Sequence, residues 1–420
     1  MSATRGFVSG ATTRRPLTLH SIGAWGVALA YLVFCISDTM LTLEDERAQL
    51  VKIFAFCLLL LAISLRPRLH RLIVLAAPLL FVLWIGLVRS FNADAGMEEF
   101  LRFLFPIVIT VALFAYRDRI DTVLTVFFVV VLSNDLFQCY FYLAYLTGLP
   151  VLLPIRIDSG LFLRAQGWMG FFSEFSFINF CAFLLCRQYK PTERSRALSW
   201  LFVLFALLGF SFKMFATLAV YPLIARKVSP RVWLMGGAAA GAALWVIANG
   251  YLDSLLNVAS AKISFYIVEG NSARAESYRV MFESLAKGNF FGEGLGSFGG
   301  PASVKYGSPL YGYYHFNWYG LGSILKTTDT FYPHLFVEIG LLGALVWLGF
   351  VLRYGQGQRV GMPWLFVVLA FCFDNIFSMA FVSPSYVFSA LLVMHAFSRS
   401  GDKVHGSGVV CSRQNFERRR

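Results

Sequence analysis

The sequence predicts an all-α, polytopic integral membrane protein with about twelve transmembrane helices and one large loop on the outer side. Of its 420 residues, 58% are hydrophobic and 14% charged, against about 45–50% and about 25% in ordinary soluble domains. A mean hydropathy of +0.66 means more apolar surface than one soluble core can bury. This composition excludes disordered and fibrous proteins and gives no reason to expect a nucleic-acid partner.

Twelve apolar runs mark the predicted helices, since a span of the hydrocarbon core needs about 20 mostly apolar residues. The runs are 19–38, 49–65, 71–89, 99–116, 120–146, 169–186, 197–212, 214–225, 232–249, 333–352, 362–379 and 383–398. Only Ser211-Phe212-Lys213 separates the seventh run from the short eighth run. One long tilted helix there would instead give eleven spans.

Basic residues are concentrated on one side of the twelve-span arrangement. That side holds 23 of the 36 Lys and Arg residues, while acids such as Glu44 and Glu98 lie mostly on the other. By the positive-inside rule, the basic side and both termini are cytoplasmic. Eleven spans would move the loop with Arg353 and Arg359 outside, so twelve spans fit better. Most of the net charge of +13 therefore reflects topology.

The predicted topology divides the chain into four parts. Residues 1–249 contain helices one to nine, and residues 250–332 form the outer loop. Residues 333–398 contain helices ten to twelve, and residues 399–420 form a basic cytoplasmic tail.

A few basic residues lie on the outer side, against the general bias. Each of them either extends toward lipid headgroups or binds an anion. They are Arg156, Arg164, Lys213, Arg274 and Arg279. Residues 272–286 predict an amphipathic helix whose apolar face holds Tyr278, Met281, Phe282 and Leu285. Arg274 lies one turn before Tyr278, where a guanidinium suits the bidentate recognition of a pyrophosphate headgroup.

The outer loop also contains a glycine-rich run and a group of aromatic residues. The run 292–300 matches G-x-G-x-x-G, but no strand–helix unit surrounds it, so we interpret it as a tight turn. The aromatic residues that follow, Tyr313 and Trp318 among them, form either an interfacial belt or a platform on which sugar rings stack.

His334 is the candidate base, because it opens the tenth span on the outer side with Glu338 one turn below it. A neutral imidazole can accept a proton from a hydroxyl, and a nearby carboxylate can orient it. The alternative is an interfacial polar residue at a helix start. The chain has no H-E-x-x-H motif and no Cys-x-x-Cys pair, so we predict neither a metal nor a cofactor.

Four segments together resemble one known family. Residues 272–298 contain Arg274, an aromatic residue four positions on and a G-x-G turn that ends in an aromatic. Residues 334–343 begin with His334 and include two glycines. The other two segments are 164–174 and 211–213. In this order they resemble the O-antigen ligase and polysaccharide polymerase superfamily of bacterial inner membranes. The resemblance covers residues from about 150 to about 350. Leu335 stands where the family commonly has Asn, and Lys213 where it usually has Arg.

The resemblance implies a metal-independent glycosyltransferase that uses an undecaprenyl-pyrophosphate-linked glycan at the periplasmic face of the inner membrane. Arg274, with help from Arg164, Arg279 and Lys213, would bind the pyrophosphate. His334 would deprotonate the acceptor hydroxyl, oriented by Glu338. Tyr278, Tyr313 and Trp318 are candidate glycan contacts, and a flippase and a chain-length regulator are candidate partner proteins.

The acceptor distinguishes two enzymes of this family. A polymerase extends another lipid-linked glycan, whereas a ligase transfers the glycan to lipid A core. The stretch 170–174 is closer to the polymerases. A transporter is the alternative from a different class, and it predicts a polar intramembrane cavity lined by Asp135 and Asp374.

Overall fold

The computed structural model describes residues 19–66, 70–153, 164–189, 191–224, 272–320, 322, 325–353 and 361–398. Every regular element within these ranges is helical, so the all-α prediction is confirmed there. The predicted ninth span at 232–249, the tail at 399–420, the first part of the outer loop and Arg156 lie outside the described residues.

Fourteen helices follow one another along the described chain. They are α1 Leu19–Thr42, α2 Ala48–Ser64, α3 His70–Val88, α4 Ala93–Ala115, α5 Ile120–Thr147, α6 Phe172–Gln188, α7 Glu193–Leu208, α8 Phe212–Ile224, α9 Ala273–Ala286, α10 Pro301–Lys305, α11 Leu310–Tyr313, α12 Phe331–Leu352, α13 Met362–Asp374 and α14 Pro384–Ser398.

Several of these helices suit a bilayer. Three segments are long and apolar enough to cross one, Leu19–Thr42, Arg117–Thr147 and Phe331–Leu352, and shorter apolar helices accompany them. Large apolar side chains such as Trp25 and Leu136 are exposed on the outer faces of the helices. A soluble monomer rarely exposes apolar surface on this scale, so the helices indicate a membrane protein.

Helices α6 and α14 form the centre of the fold. Residues 173–186 of α6 and all of α14 are buried. Helix α1 packs on both α2 and α5, and Tyr31 on α1 is 3.0 Å from the Ser389 hydroxyl on α14. Polar groups on α1, α6 and α14 therefore face one another inside the protein.

The start of α1, the end of α2 and the start of α5 lie together, as expected for helices that alternate in direction. Asp118, just before α5, lies 2.5 Å from His20 at the start of α1 and 2.9 Å from Arg66 after α2. At the far end of α1, Asp38 pairs with Lys52 of α2 at 3.0 Å.

Helices α7 and α8 are separate. Helix α7 ends at Leu208, α8 begins at Phe212, and Phe210 between them has a φ of 46°. The single long helix of the eleven-span alternative is therefore not formed. The described part of α8 has 13 residues and is about 20 Å long at about 1.5 Å per residue.

Helix α12 is broken at Gly340, whereas the sequence predicted an uninterrupted span. Gly340 has φ 73° and ψ 176°, which separates residues 331–339 from 341–352. The irregular segment 289–294 fills the break. It donates to the carbonyls of Val337 and Glu338 and accepts from the N–H groups of Leu341 and Leu342. The backbone groups freed by the break are thus hydrogen-bonded within the protein. A break inside a bilayer requires this, because lipid offers no hydrogen-bond partner.

Candidate functional site

His334 lies in the first turn of α12 and is completely buried. Its Nδ1 is 2.7 Å from the carbonyl oxygen of Phe298. A carbonyl only accepts hydrogen bonds, so Nδ1 carries a proton and donates it. The other ring nitrogen, Nε2, lies 3.3 Å from Oε2 of Glu99 on α4. Any acid–base chemistry of His334 therefore uses Nε2.

Two buried carboxylates approach this imidazole, and a guanidinium pairs with one of them. Glu99 pairs with Arg102 and accepts the Ala302 N–H at 3.3 Å. Glu338 accepts the Phe298 N–H at 3.0 Å and approaches His334 Nδ1 at 3.5 Å. The predicted proximity of Glu338 to His334 is present in the structure. We call Glu99, Arg102, His334 and Glu338 the histidine cluster.

The charges of the histidine cluster balance when the imidazole is protonated. An imidazolium and the Arg102 guanidinium then oppose the two carboxylates, and buried charges are tolerated only in such paired arrangements. Nε2 and Glu99 Oε2 lie 3.3 Å apart, but among the described residues neither atom makes a hydrogen bond. The arrangement is therefore suited to storing one proton on His334.

The histidine cluster is closed from outside. The Phe103 ring stacks on the imidazole with centroids 5.0 Å apart. Gly300 covers the other side, where a Cβ would lie 2.7 Å from His334 Cε1 and 2.4 Å from Glu99 Oε1. Phe103 and Gly300 therefore shield His334 in this structure.

Glu99, His334 and Glu338 lie close enough together to share a metal ion. Their ligand atoms lie within 4.8 Å of one another, and a metal-bound histidine usually donates its other N–H to a carbonyl or carboxylate. Arg102 already supplies Glu99 with a positive charge at Oε1, whereas Oε2 of the same carboxylate faces Nε2 of His334. The absence of a metal stays a prediction from the sequence.

Helix α9 connects Arg274 to the start of α12. The Ser272 hydroxyl caps the helix by accepting the Ala275 N–H at 3.2 Å. Ser277 lies 2.7 Å from the hydroxyl of Thr330, the residue that precedes α12. Arg274, one turn away on α9, pairs with Asp329 at 3.0 Å. The structure thus brings Arg274 and His334 to the same junction between α9 and α12.

The buried face of α9 coincides only in part with its predicted apolar face. Val280 and Met281 are buried together with the small residues Ser277 and Ser284, while Phe282 is 63% exposed. Small side chains allow α9 to lie close to α12. Phe282 is left to face the surroundings, where a bilayer interface would accept it.

Arg279 belongs to a row of ion pairs along the surface of α9. It pairs with Glu276 at 2.6 Å and Glu283 at 2.7 Å, and it donates to the Tyr314 carbonyl. The ammonium of Lys287 lowers the pKa of the Glu283 carboxyl. These pairs order the loop around Tyr314, which is a structural use of a residue predicted to bind phosphate.

Tyr278 borders an apolar groove between α9, α12 and α13. Its hydroxyl donates to the Ile376 carbonyl at 2.8 Å, and burial raises its pKa to about 12. The groove is lined almost entirely by apolar atoms, from Tyr278, Met281, Tyr332, Phe336, Leu369, Cys372, Phe373 and Ile376.

Lys213 and Arg164 have protein partners. Lys213 pairs with Asp374 at 2.6 Å. Arg164 donates to the carbonyls of Gly209 and Phe210 at the end of α7 and stacks on Phe172 at 3.4 Å. Both side chains therefore hold helix ends together, and their predicted contact with pyrophosphate stays a prediction.

The loop aromatics pack mainly against one another. Trp318 lies 4.9 Å from Tyr311 and 4.7 Å from Phe316, measured between ring centroids. Tyr313 is 62% exposed, with the Lys287 ammonium 4.7 Å from its ring. Of the predicted glycan contacts, Tyr313 has the most open ring face.

The roles of Glu99 and Arg102 are not predicted from the sequence. The predicted fourth span began at Glu99, which treated the neighbouring acids as loop residues, whereas α4 begins at Ala93. A signal existed, because two charged residues three positions apart beside an apolar run predict a buried pair. Its partner His334 could not be assigned from local sequence.

No protein-family model matches the chain, and no curated protein shows significant similarity to it.

Proposed function

We propose that the protein transfers a glycan from an undecaprenyl-pyrophosphate carrier to an acceptor hydroxyl at the periplasmic face of the bacterial inner membrane. The reaction belongs to the synthesis of cell-surface polysaccharide, and the polymerase is the favoured form. One observation carries the proposal: Ser277 and Thr330 join the helix of Arg274 to the helix of His334 at 2.7 Å. An anion-binding group and a proton-accepting group therefore meet at one junction.

The donor would bind at Arg274. Its side chain is 39% exposed and its partner Asp329 is 47% exposed, and exposed ion pairs contribute little stability. A pyrophosphate, which offers bidentate charge-assisted hydrogen bonds, can displace Asp329. The apolar groove begins one turn further along α9 at Tyr278 and suits the hydrocarbon chain of the same carrier.

The acceptor would be activated by His334. In the transfer, the acceptor oxygen bonds to the anomeric carbon while the bond from that carbon to the phosphate oxygen breaks. The hydroxyl proton moves to Nε2 of His334, and the pyrophosphate leaves with its electron pair. Nε2 must be unprotonated to accept it, so Glu99 would take up the cluster proton beforehand. Arg274 stabilises the charge that develops on the leaving pyrophosphate.

Movement of segment 298–302 precedes this step, because His334 is buried. Arg164, Arg279 and Lys213 are engaged by protein partners in this closed state, so they would reach the donor only after releasing those partners. The enzyme would need neither a metal nor a cofactor, and a flippase and a chain-length regulator would act with it.

The decisive experiment uses the full-length protein in lipid vesicles with a lipid-linked oligosaccharide as the only substrate. The proposal expects longer glycan on the carrier from wild type, and none from His334→Ala. His315→Ala is the matched control, because His315 lies in the loop and should keep activity. Product from an inserted His334→Ala protein would overturn the mechanism.

A deletion strain distinguishes the two acceptors. Short lipid-linked repeats without long chains indicate the polymerase. Long chains that are not attached to lipid A indicate the ligase.

The broken helix α12 favours transport as a second candidate function, because interrupted helices line substrate sites in many transporters. Asp135 is buried beside Asn179 at 2.9 Å, and Asp374 is paired with Lys213. A transporter would move the lipid-linked oligosaccharide across the vesicle membrane and form no glycosidic bond. The same vesicles, assayed for both product and substrate orientation, separate the two functions.

A further inference from the structure

A second group of buried polar residues lies away from the histidine cluster, where α1, α6 and α14 meet. The Ser385 hydroxyl near the start of α14 is hydrogen-bonded to two carboxyl groups at once. Its oxygen is 2.6 Å from Asp38 Oδ2 on α1 and also contacts Glu174 Oε1 on α6. Asp38 is 8% exposed and Glu174 is 4% exposed.

The Ser385 hydroxyl cannot donate a hydrogen bond to both carboxyl groups at once. A serine hydroxyl has one proton to donate, and an ionised carboxylate has none. If both acids were ionised, one carboxylate oxygen would face a hydroxyl lone pair in close contact. One of the two acids must therefore carry a proton and donate it to Ser385.

The surroundings identify that acid. Asp38 receives a salt bridge from Lys52 at 3.0 Å, the Ser383 hydroxyl at 3.1 Å and the Ser385 N–H at 3.2 Å. These contacts favour its charged form. Among the described residues, no cation lies within ion-pair distance of Glu174, whose hydrogen-bond partner is Ser385.

We infer that Glu174 is a proton-binding site, in which its carboxylic acid donates to Ser385 and Ser385 donates in turn to Asp38. The bound proton links α6 through α14 to α1. This site is independent of the proposed glycosyl transfer and shares no residue with the histidine cluster.

Other titratable groups surround this site on every side. Lys52 and Asp374 act on Glu174 through their charges, and Asp374 also accepts from the Tyr386 hydroxyl at 2.6 Å. Tyr31 and Cys35 of α1 are buried nearby. Lys213 neutralises Asp374. The positive charges are thus already paired with Asp38 and Asp374, which leaves Glu174 to be neutralised by its own proton.

The first test compares two neutral substitutions in the full-length purified protein. Glu174→Gln should keep the wild-type melting temperature near neutral pH, because the amide donates to Ser385 as the protonated acid does. Asp38→Asn should lower the melting temperature markedly, because it leaves Lys52 without its carboxylate. A melting temperature lowered by Glu174→Gln and kept by Asp38→Asn would overturn the assignment.

The second test detects the proton directly by infrared spectroscopy in deuterated and ordinary buffer. Wild type near neutral pH should show a protonated-carboxyl band that is absent from Glu174→Gln and that fades as the pH rises. Asp135→Asn is the control, because Asp135 is the other buried carboxyl outside an ion pair among the described residues, and it should leave this band intact. Identical carboxyl bands in wild type and Glu174→Gln across the pH range would overturn the inference. If Glu174→Gln fails to fold, Ser385→Ala serves instead and should shift the band without removing it.

Discussion

The backbone nitrogen of Gly292 occupies the place where a side chain on Gly340 would begin. A Cβ on Gly340 would lie 2.3 Å from Gly292 N, and a Cβ on Gly292 would lie 2.1 Å from Glu338 O. The two glycines thus allow segment 289–294 to enter the break in α12. Segment 289–294 leads to Phe298. The carbonyl of Phe298 accepts a hydrogen bond from His334, and its N–H donates to Glu338.

Gly340→Ala should destabilise the protein strongly. The φ of 73° and ψ of 176° suit glycine almost alone, which costs roughly 1–3 kcal/mol for another residue, and the clash with Gly292 adds to this. Gly26→Ala is the control, because its Cβ would meet only Ala62 at 3.6 Å inside a helix. Thermal unfolding in detergent measures both, and equal melting temperatures for the two variants would contradict the broken-helix geometry.

Glu99→Gln should lower the free energy of unfolding far more than Glu98→Gln does. Glu99 is fully buried between Arg102 and His334, and removing one member of a buried ion pair costs about 3–5 kcal/mol. Glu98 is a third exposed and pairs with Lys305, so its loss should cost about 1 kcal/mol or less. Chemical unfolding of the two purified variants provides the comparison. Equal costs would show that Glu99 is not held as a charged partner.

Lys213→Met should destabilise the protein by about 3–5 kcal/mol, because it leaves Asp374 buried without its cation. Lys213→Arg keeps the charge and should recover most of that stability. If Lys213 acts mainly on the donor pyrophosphate instead, Lys213→Met will unfold like wild type and lose only transfer activity. Melting temperature and product formation, measured on the same samples, separate the two roles.

Chelation should leave glycosyl transfer unchanged. The histidine cluster balances its own charges when the imidazole is protonated, so a divalent cation is not required to neutralise Glu99 and Glu338. Transfer would be measured before and after treatment with EDTA, followed by dialysis. Activity that disappears and returns with added metal would instead identify Glu99, His334 and Glu338 as metal ligands.

Much of the helical content followed from local sequence. Apolar runs of sufficient length predict helices, and the described runs became helices within a few residues of the expected bounds. The sequence predicts a break between α7 and α8 at Ser211-Phe212-Lys213, and the break lies slightly earlier, at residues 209–211. The spacing of His334 and Glu338 placed them one turn apart on a helix.

Other features required contacts between distant segments. Gly340 looked like a glycine inside a continuous span, because nothing beside it reveals that segment 289–294 supplies its missing hydrogen bonds. The apolar face predicted for α9 includes Phe282, which is exposed, whereas the packing of α9 on α12 buries the small residues Ser277 and Ser284.

By itself, the sequence determined that the chain is helical and apolar, and which few charged residues stand apart from its predicted sidedness. Hydropathy and helical period are local properties, so they are readable without knowing the neighbours. The tertiary structure alone decided that Glu99 and Arg102 enclose His334, and that Ser385 joins Glu174 to Asp38. The physical reason is that a buried charge or proton is stable only beside its partner, and the packing of distant helices supplies that partner.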